Sequence, residues 1–212
     1  MKKSKLILII LGLLFSINIS SQNNLKVGVI AGVNYPKNRG HKYTKYHNFK
    51  VGYLFGVSFD YFLKEKLSLK ANINYERKIK KRQLTYYSYE AEEIGKEDFE
   101  EIYEYINIPL LIKYEFGKSN FFVNGGPFLN YLLNNQIKPD FPNEIDNTKL
   151  KKVDFGMSLG IGTNISLNNK NDFTIEIRDD FGIIDTGGVP NNTTGATKTN
   201  AIKLIVGWNL GI

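Results

Sequence analysis

Two histidines, His41 and His47, are the side chains in this sequence best suited to proton transfer or metal binding near neutral pH. Both lie in the polar stretch HKYTKYH, among lysines and tyrosines. A catalytic or metal site would need further side chains converging on them, and no motif places serine and aspartate there. The chain has no cysteine, which excludes disulfides and thiol chemistry. We therefore expect no enzyme activity, no metal and no cofactor.

A second set of reactive types is a block of charges in the middle of the chain. KIKKRQ (78–83) is basic, and EAEEIGKEDFEE (90–101) is mostly acidic. Such a block could bind a partner or divalent cations on an exposed surface. Alternatively, it could form a solvated hairpin whose basic and acidic arms face each other. We favour this second interpretation because charge runs are usually solvated.

A third set of charges alternates with apolar residues along the chain. Its members are Lys26, Asp60, Lys70, Glu76, Lys113, Glu115, Asp154, Glu176, Arg178, Asp180 and Lys203. Five are positive and six are negative, so the set is nearly neutral. In a narrow and poorly hydrated interior such ions must be paired to offset their desolvation. The balance predicts a charge network that fills an enclosed space.

The elements that must position these charges are strands. Eight segments alternate apolar and polar residues with period two, at about 25–35, 49–61, 67–75, 105–117, 120–133, 153–167, 173–181 and 202–212. Helical periodicity is nearly absent, and beyond the first residues no apolar run is long enough for a membrane-spanning helix. The chain is predicted to be all-β.

The connections between these segments alternate in length. Short polar turns at 63–66, 117–120 and 168–171 alternate with long connections at about 36–48, 77–102, 134–152 and 182–200. In an up-and-down meander this puts all short turns at one end and all long loops at the other. An even number of strands also lets the first pair with the last. The pattern predicts an eight-stranded antiparallel up-and-down transmembrane β-barrel, because outer-membrane barrels have this asymmetry.

The sizes of the side chains indicate which face is outside. The apolar faces carry Phe, Tyr, Leu and Ile, whereas the opposite faces are rich in Gly, Ser and Asn, which suit the narrow interior of eight strands. Two aromatic belts are predicted at the membrane interfaces. The belt near the short turns comprises Tyr61, Tyr114, Phe116, Phe121, Phe173 and Trp208; the belt near the long loops comprises Tyr35, Tyr53, Tyr75, Tyr105, Tyr131, Phe155 and Phe181.

Two other arrangements stay open at this point. A soluble, secreted eight-stranded barrel would bind an apolar ligand inside and place Phe55, Leu110 and Leu159 in its cavity. A small outer-membrane enzyme acting on lipid or peptide would need a cluster at the long-loop rim, for which only His41 and His47 are available.

Pro109 lies within the fourth segment, YINIPLLIKYEFG (105–117). Its side chain is expected to point inward, and its missing N–H leaves a neighbouring carbonyl short of a partner. A local bulge, a side chain or water from the lumen, or a position near the rim would each accommodate this loss.

The N-terminus has the features of a secretory signal peptide. Lys2, Lys3 and Lys5 precede the apolar stretch 7–15, and small residues follow at Ser16, Ser20 and Ser21. We expect residues 1–21 to be a cleaved signal peptide and residues 22–212 to be the barrel domain. The formal charge of +7 includes those three lysines, so the basic balance gives little reason to expect nucleic acid as a partner.

Four stretches in order resemble the PorT-like outer-membrane β-barrel proteins of Bacteroidetes. They are YINIPLLIKYEF (105–116), FFVNGGPFLNYLL (121–133), DFGMSLGIGTNI (154–165) and IEIRDDFGIID (175–185), and the similarity covers roughly residues 25–212. The resemblance implies an eight-stranded barrel in the cell outer membrane, inserted by the barrel-assembly machinery. Barrels of this kind usually end in phenylalanine, whereas this chain ends in Ile212, so the resemblance implies insertion with a weaker signal.

The function predicted from these features is that of an integral outer-membrane barrel with a filled lumen and a structural or partner-binding role. Eight strands are too few for the open channel of a general porin, which needs about sixteen. The expected partners are outer-membrane lipid, the assembly machinery, and envelope or secretion proteins that contact the long loops. Some members of the family serve protein secretion, which the resemblance implies as a further role.

Overall fold

The structure is a computed structural model that describes residues 24–40, 48–90, 92–117, 119–138, 150–168, 170–187 and 196–211. The expected signal peptide (1–21), His41, His47 and Ile212 lie outside the described residues. The expectations for those residues therefore stay predictions.

The described residues form eight antiparallel strands that close into a barrel. The strands are β1 (Leu25–Arg39), β2 (Asn48–Lys64), β3 (Leu67–Tyr87), β4 (Glu93–Glu115), β5 (Phe121–Lys138), β6 (Val153–Ser166), β7 (Asn171–Gly182) and β8 (Lys198–Gly211). Each strand pairs with its neighbours in sequence, and β1 pairs with β8 from Lys26↔Gly211 to Arg39↔Lys198. The predicted fold class is confirmed.

Alternation of buried and exposed side chains separates the two faces of the barrel wall, and register shifts interrupt it at a few positions. On β6, Asp154 and Ser158 are buried inside, whereas Phe155, Met157 and Leu159 are exposed outside. Successive residues of a strand point to opposite faces, so this sequence has one register that encloses the polar set. The described part of the chain contains no helix long and apolar enough to cross a membrane.

The stretch 77–102, which we predicted to be a long connection, is mostly strand. β3 continues to Tyr87 and β4 starts at Glu93, with a tight turn between them. Ser88 closes the turn: its N–H donates to Glu92 O at 2.8 Å, and its Oγ accepts the N–H groups of Glu90 and Glu92. The apolar alternation that marks the other strands is absent here, because pairs of opposite charge replace it.

Pro109 is buried on the inner face as expected, and the bulge, one of the accommodations left open, is not present at this position. Ala71↔Leu110 and Asn74↔Asn107 belong to one unbroken register between β3 and β4, so the ladder is interrupted without a shift. Asn72 lies in this gap, and its side-chain amide makes no hydrogen bond with the described residues. The lost donor is thus accommodated by a local gap in pairing.

The orientation of the apolar face excludes the soluble barrel with an apolar cavity. Phe55, Leu110 and Leu159 are 53%, 50% and 69% exposed on the outer surface, and the charged residues occupy the interior. Large apolar side chains at outward positions surround the barrel. A water-soluble barrel would have the reverse arrangement.

Candidate functional site

The eleven charged residues predicted to form a network all lie on the inner face of the barrel wall. Lys26 and Glu115 lie near the short-turn end, where their side chains are 30% and 25% exposed. The other members are buried, and all of them project inward because they occupy the same phase of the period-two pattern.

Glu176 is the centre of one cluster. Its Oε1 accepts hydrogen bonds from Arg178 Nε at 2.7 Å and Asn124 Nδ2 at 2.8 Å. Its Oε2 accepts one from Lys70 Nζ at 2.9 Å. Both Glu176 and Arg178 side chains are completely enclosed, so these contacts replace the hydration that the ions lose.

Lys203 joins strands from opposite sides of the barrel. Its Nζ lies 2.5 Å from Asp180 Oδ2 and 3.0 Å from Glu76 Oε2. Ser158 Oγ donates to the second oxygen of Asp180 at 2.6 Å. Glu76 lies on β3 and Lys203 on β8, so this contact crosses the lumen.

A third cluster lies around Lys113. Its Nζ contacts Asp60 Oδ2 at 3.0 Å and Glu115 Oε1 at 2.9 Å, and it lies 4.6 Å from the centre of the Phe122 ring. The ammonium therefore has two carboxylates and an aromatic face as neighbours.

Asparagine side chains connect Asp154 to these clusters. Asp154 Oδ2 accepts from Asn130 Nδ2 at 3.0 Å and from Thr199 Oγ1 at 2.7 Å. Asn107 donates to Asn130 Oδ1 at 2.7 Å and accepts from Asn74 Nδ2 at 3.0 Å. The polar side chains thus form a network across the interior.

Four charged residues of the interior were missed by the sequence analysis. Lys78, Lys80 and Glu101 are buried in the part of the barrel that was assigned to a loop, and Asp172 pairs with Lys26 near the short turns. Lys78 and Lys80 continue the inward phase of Glu76, so the signal was present. The prediction nevertheless ended strand three at Tyr75, because the outward apolar residues stop there.

Large apolar side chains also fill the interior, and these were missed as well. Phe122 and Phe128 are both 1% exposed and point inward from β5. Each lies directly opposite a glycine of β6: Phe122↔Gly162 and Phe128↔Gly156. A β-carbon on Gly156 would lie 2.6 Å from the Phe128 ring, so the glycine is required by this close approach.

The residues predicted to form the aromatic belts point outward with one exception. Tyr35, Tyr53, Tyr61, Tyr114, Phe116, Phe121, Tyr131, Phe155, Phe181 and Trp208 are exposed, and Tyr75 and Phe173 are partly exposed. Tyr105 is 8% exposed and faces the interior, so its assignment to a belt is wrong. It shares the inward phase of Asn107 and Pro109, and a strand cannot turn such a residue outward without a bulge.

Beyond the barrel, β3 and β4 continue as a two-stranded ribbon. Within the described residues, pairing with β2 ends at Asn48↔Lys81 and pairing with β5 ends at Glu100↔Lys138, and 82–87 and 93–99 pair with each other alone. Six residues at roughly 3.4 Å each extend about 20 Å. The basic and acidic arms of the charge block pair with each other as favoured above, but Lys78, Lys80 and Glu101 are buried inside the barrel, so the hairpin is exposed in its outer part and not as a whole.

One ion pair and two hydrogen bonds join the arms of β3 and β4 at and next to the ribbon. Lys81 Nζ lies 2.6 Å from Asp98 Oδ2, Gln83 Nε2 donates to Asp98 Oδ1 at 2.9 Å, and Tyr86 Oη donates to Glu97 at 2.8 Å. The hydrogen bond from Lys81, followed by that from Gln83, lowers the pKa of Asp98 below its ordinary value. Within the described ranges, no group of three or more acidic or imidazole side chains is placed to hold a metal ion.

Comparison with known proteins gives the following matches. The model of the family described as outer membrane protein β-barrel domain matches residues 20–187. Similar solved structures include OprG from Pseudomonas aeruginosa, which is 14% identical over 91% of this chain and 98% of that chain, with a TM-score of 0.49. The Neisserial surface protein A is 14% identical over 88% and 97%, and the outer membrane protease OmpT from Escherichia coli is 8% identical over 89% and 97%, each with a TM-score of 0.47. No curated protein matches the sequence.

Proposed function

This chain belongs to the family of outer membrane protein β-barrel domains, and from that premise we propose that it is a membrane-anchored platform that binds a protein partner through its β3–β4 ribbon. It is an integral outer-membrane barrel. We propose that the ribbon lies on the outer side of the membrane and that the short turns lie in the periplasm, as in other outer-membrane barrels.

The observation that carries the proposal is the exposed tip of the ribbon. Tyr86, Tyr89 and Ile94 are 41%, 111% and 67% exposed there, well beyond the band of apolar residues around the barrel wall. Tyrosine is enriched at protein interfaces because it combines a large apolar body with a polar end. Apolar side chains in this position have no lipid to contact, and a protein partner would cover them.

We also propose that the lumen does not serve as an open channel. The buried ion pairs of Glu176 and Lys203, together with Phe122 and Phe128, support this, because they leave little room for water to pass. Purified protein in a planar bilayer should give no stable conductance steps. Steps typical of an open porin would contradict this part of the proposal.

Site-directed labelling tests the position of the ribbon. Since the chain has no cysteine, Tyr89→Cys and Glu65→Cys each introduce one thiol, at the ribbon tip and in a short turn respectively. A membrane-impermeant maleimide added to intact cells should label the first variant and leave the second unlabelled until the outer membrane is opened. Equal labelling of both in intact cells would contradict the proposed orientation.

Photo-crosslinking tests the partner. A photoreactive amino acid at Tyr89 should give a discrete crosslinked product in intact cells, and the same group at Glu65 should not. Ile94→Ser should weaken that product while the barrel still migrates as a folded species. Failure to obtain a product from Tyr89, or one that Ile94→Ser does not change, would contradict partner binding at the tip.

The resemblance to PorT-like proteins supports a finer version of this role, in which the partner belongs to a protein secretion system of the outer membrane. Deleting the gene should then reduce export of secreted proteins, and unchanged export would contradict that version. We further propose that residues 1–21 are removed before the assembly machinery inserts the barrel. Mass measurement of the purified protein should show an N-terminus close to residue 22.

We propose that the chain has no enzyme activity. His41 and His47 are the residues around which the enzyme alternative was built, and they lie outside the described residues. Replacing both with alanine should leave partner crosslinking unchanged, and a hydrolytic activity lost in this variant would contradict the proposal.

A further inference from the structure

One carboxylate lies on the outer wall of the barrel, among side chains that face lipid. Asp179 follows Ile175 and Ile177 on the outward face of β7 and is partly exposed. Its paired neighbours are Leu159 on β6 and Ile202 on β8, which are 69% and 54% exposed. Both ladders are unbroken at this position, so no bulge turns the side chain away from the surface. An ionisable side chain among lipid-facing residues is costly unless a partner compensates its charge.

Asp179 lies one outward position below the belt near the long loops. Phe181 belongs to that belt, and the two residues of strand that separate it from Asp179 extend about 7 Å. Asn200 pairs with Phe181, and its Nδ2 donates a hydrogen bond to Asp179 Oδ1 at 2.8 Å. The carboxylate is therefore held toward the level at which lipid headgroups begin. Among the described residues this neutral amide is its hydrogen-bond partner, and no ion pair includes it.

Two cations lie beside this carboxylate on the same outer surface. Lys37 of β1 pairs with Asn200 and is exposed, and no ion pair within the described ranges includes its ammonium. Arg39 has its guanidinium 3.4 Å from the centre of the Phe181 ring and donates to a main-chain carbonyl, so both of these contacts are neutral. Two strand spacings, roughly 10 Å, separate β1 from β7. A carboxylate and two cations thus border one small patch of the wall.

We propose that this patch binds the headgroup of one ethanolamine phospholipid from the surrounding leaflet. The ammonium of the headgroup would donate to Oδ2 of Asp179, and its phosphate would accept from Lys37 beside Arg39. Such a headgroup carries a cation and an anion a few atoms apart, which complements a carboxylate next to a lysine. The acyl chains would then lie along the wall at Ile177 and Ile202, which are 53% and 54% exposed.

A lipid fits this patch better than a second copy of the chain does. Two barrels are convex, so they touch along a narrow line, whereas a headgroup can contact the carboxylate and the lysine together. A pair of copies could still join Lys37 of one to Asp179 of the other, and such a dimer would be visible in the mass of the complex. The site lies on the barrel wall and goes beyond the proposed platform role, which depends on the ribbon tip.

Native mass spectrometry of the purified, folded barrel in detergent tests the site. Dioleoyl lipids with ethanolamine, choline or glycerol headgroups are added separately at equal concentration. The ethanolamine lipid should be retained as one molecule per barrel and roughly fivefold more than the other two, because choline has no N–H to donate and phosphoglycerol has no cation for Asp179. Equal retention of the ethanolamine and choline lipids would overturn the proposal.

Three variants separate this patch from general charge effects. Asp179→Asn should lower retention of the ethanolamine lipid to that of the choline lipid, and Lys37→Gln should lower it by loss of the phosphate contact. Glu65→Gln, at an exposed carboxylate in a short turn, is the matched control and should change nothing. Asp179→Asn should keep the folded mobility of the barrel on a gel, which guards against misfolding. Unchanged retention in Asp179→Asn, or a lipid-free dimer that this variant dissociates, would overturn the assignment.

Discussion

Glu176 and its neighbours show how single residues keep ions inside the barrel wall. The carboxylate has lost all contact with bulk water and receives hydrogen bonds from Arg178, Lys70 and Asn124 in exchange. Replacing an entire buried pair with apolar residues is often neutral, but removing one member leaves an uncompensated charge. We therefore expect that the network mainly selects one arrangement of the interior side chains. Its net contribution to the free energy of unfolding is expected to be small.

Replacing Glu176 with glutamine should reduce the free energy of unfolding by about 3–5 kcal/mol, because Arg178 and Lys70 stay charged and lose their shared carboxylate. The measurement is reversible urea unfolding of the barrel from lipid vesicles. Glu93→Gln is the matched control, since Glu93 and Lys96 form a pair with both side chains 48% exposed. A comparable loss in both variants would show that enclosure of Glu176 is irrelevant.

The carboxyl group of Asp98 should report on pairing within the ribbon. The hydrogen bonds from Lys81 and then Gln83 depress its pKa in the folded state, so the stabilising effect is present above the unfolded pKa of about 3.9 and is lost as pH falls through the folded value. Lys81→Met should move the Asp98 titration upward, as followed by carbon NMR of the carboxyl. Lys96→Met is the control, and an equal upward movement in it would contradict the assignment to Lys81.

At the level of elements, the strands fit together because large inward side chains lie opposite glycines. Phe128 lies over Gly156 and Phe122 over Gly162, and Ile30 pairs with Gly56 on one side and Gly207 on the other. An eight-stranded barrel has little interior volume, so a bulky side chain on one strand requires a minimal one on the next. The fit of large side chains against glycines and the charge pairs together determine the register of the strands.

Gly156→Ala should destabilise the barrel by about 1–3 kcal/mol or prevent insertion, since its β-carbon would lie 2.2 Å from Phe181 O and 2.6 Å from the Phe128 ring. Gly95→Ala is the matched control, because no atom lies within 4 Å of a β-carbon built there. The temperature at which each variant loses its folded mobility on a gel gives the comparison. Equal temperatures would show that the wall tolerates the added atom.

Period-two alternation in the sequence was enough to predict the eight strands and the inward direction of the eleven charged residues. It failed where alternation is weak or was misread. In FFVNGGPFLNYLL (121–133) the outward assignment of Phe121 puts Phe122 and Phe128 inside by alternation, but large apolar side chains were not expected in an interior of small and polar residues. The ribbon was predicted to be a loop, because charges on both arms become a strand signal only when the pairing Gln83↔Asp98 is known.

For the whole molecule, the strand lengths and the outward side chains define how the barrel lies in a bilayer. A tilted spanning strand needs about 9–11 residues, and β7 with 12 residues and β6 with 14 fit that requirement. β3 and β4 have 21 and 23 residues, so they exceed the hydrocarbon thickness by about ten residues each. Part of the excess forms the ribbon, and closure of β1 onto β8 leaves the wall itself without free edges.

Trp208 is the single tryptophan of the chain and reports on the belt near the short turns. It is 52% exposed on the outer face of β8, next to Phe173 of β7. In vesicles with brominated acyl chains its fluorescence should be quenched, and quenching should be strongest when the bromines lie near the headgroups, because indole rings prefer the membrane interface.

The matched variant carries Trp208→Phe together with Leu159→Trp, which moves the probe to the middle of β6 at a position that is 69% exposed. This tryptophan should be quenched most by bromines near the bilayer centre. The two depth profiles together distinguish a wall in contact with lipid from one buried in protein. If bromines at every depth left both proteins unquenched, the apolar face would not contact lipid, and both the belts and the inward direction of the charges would have to be reassigned.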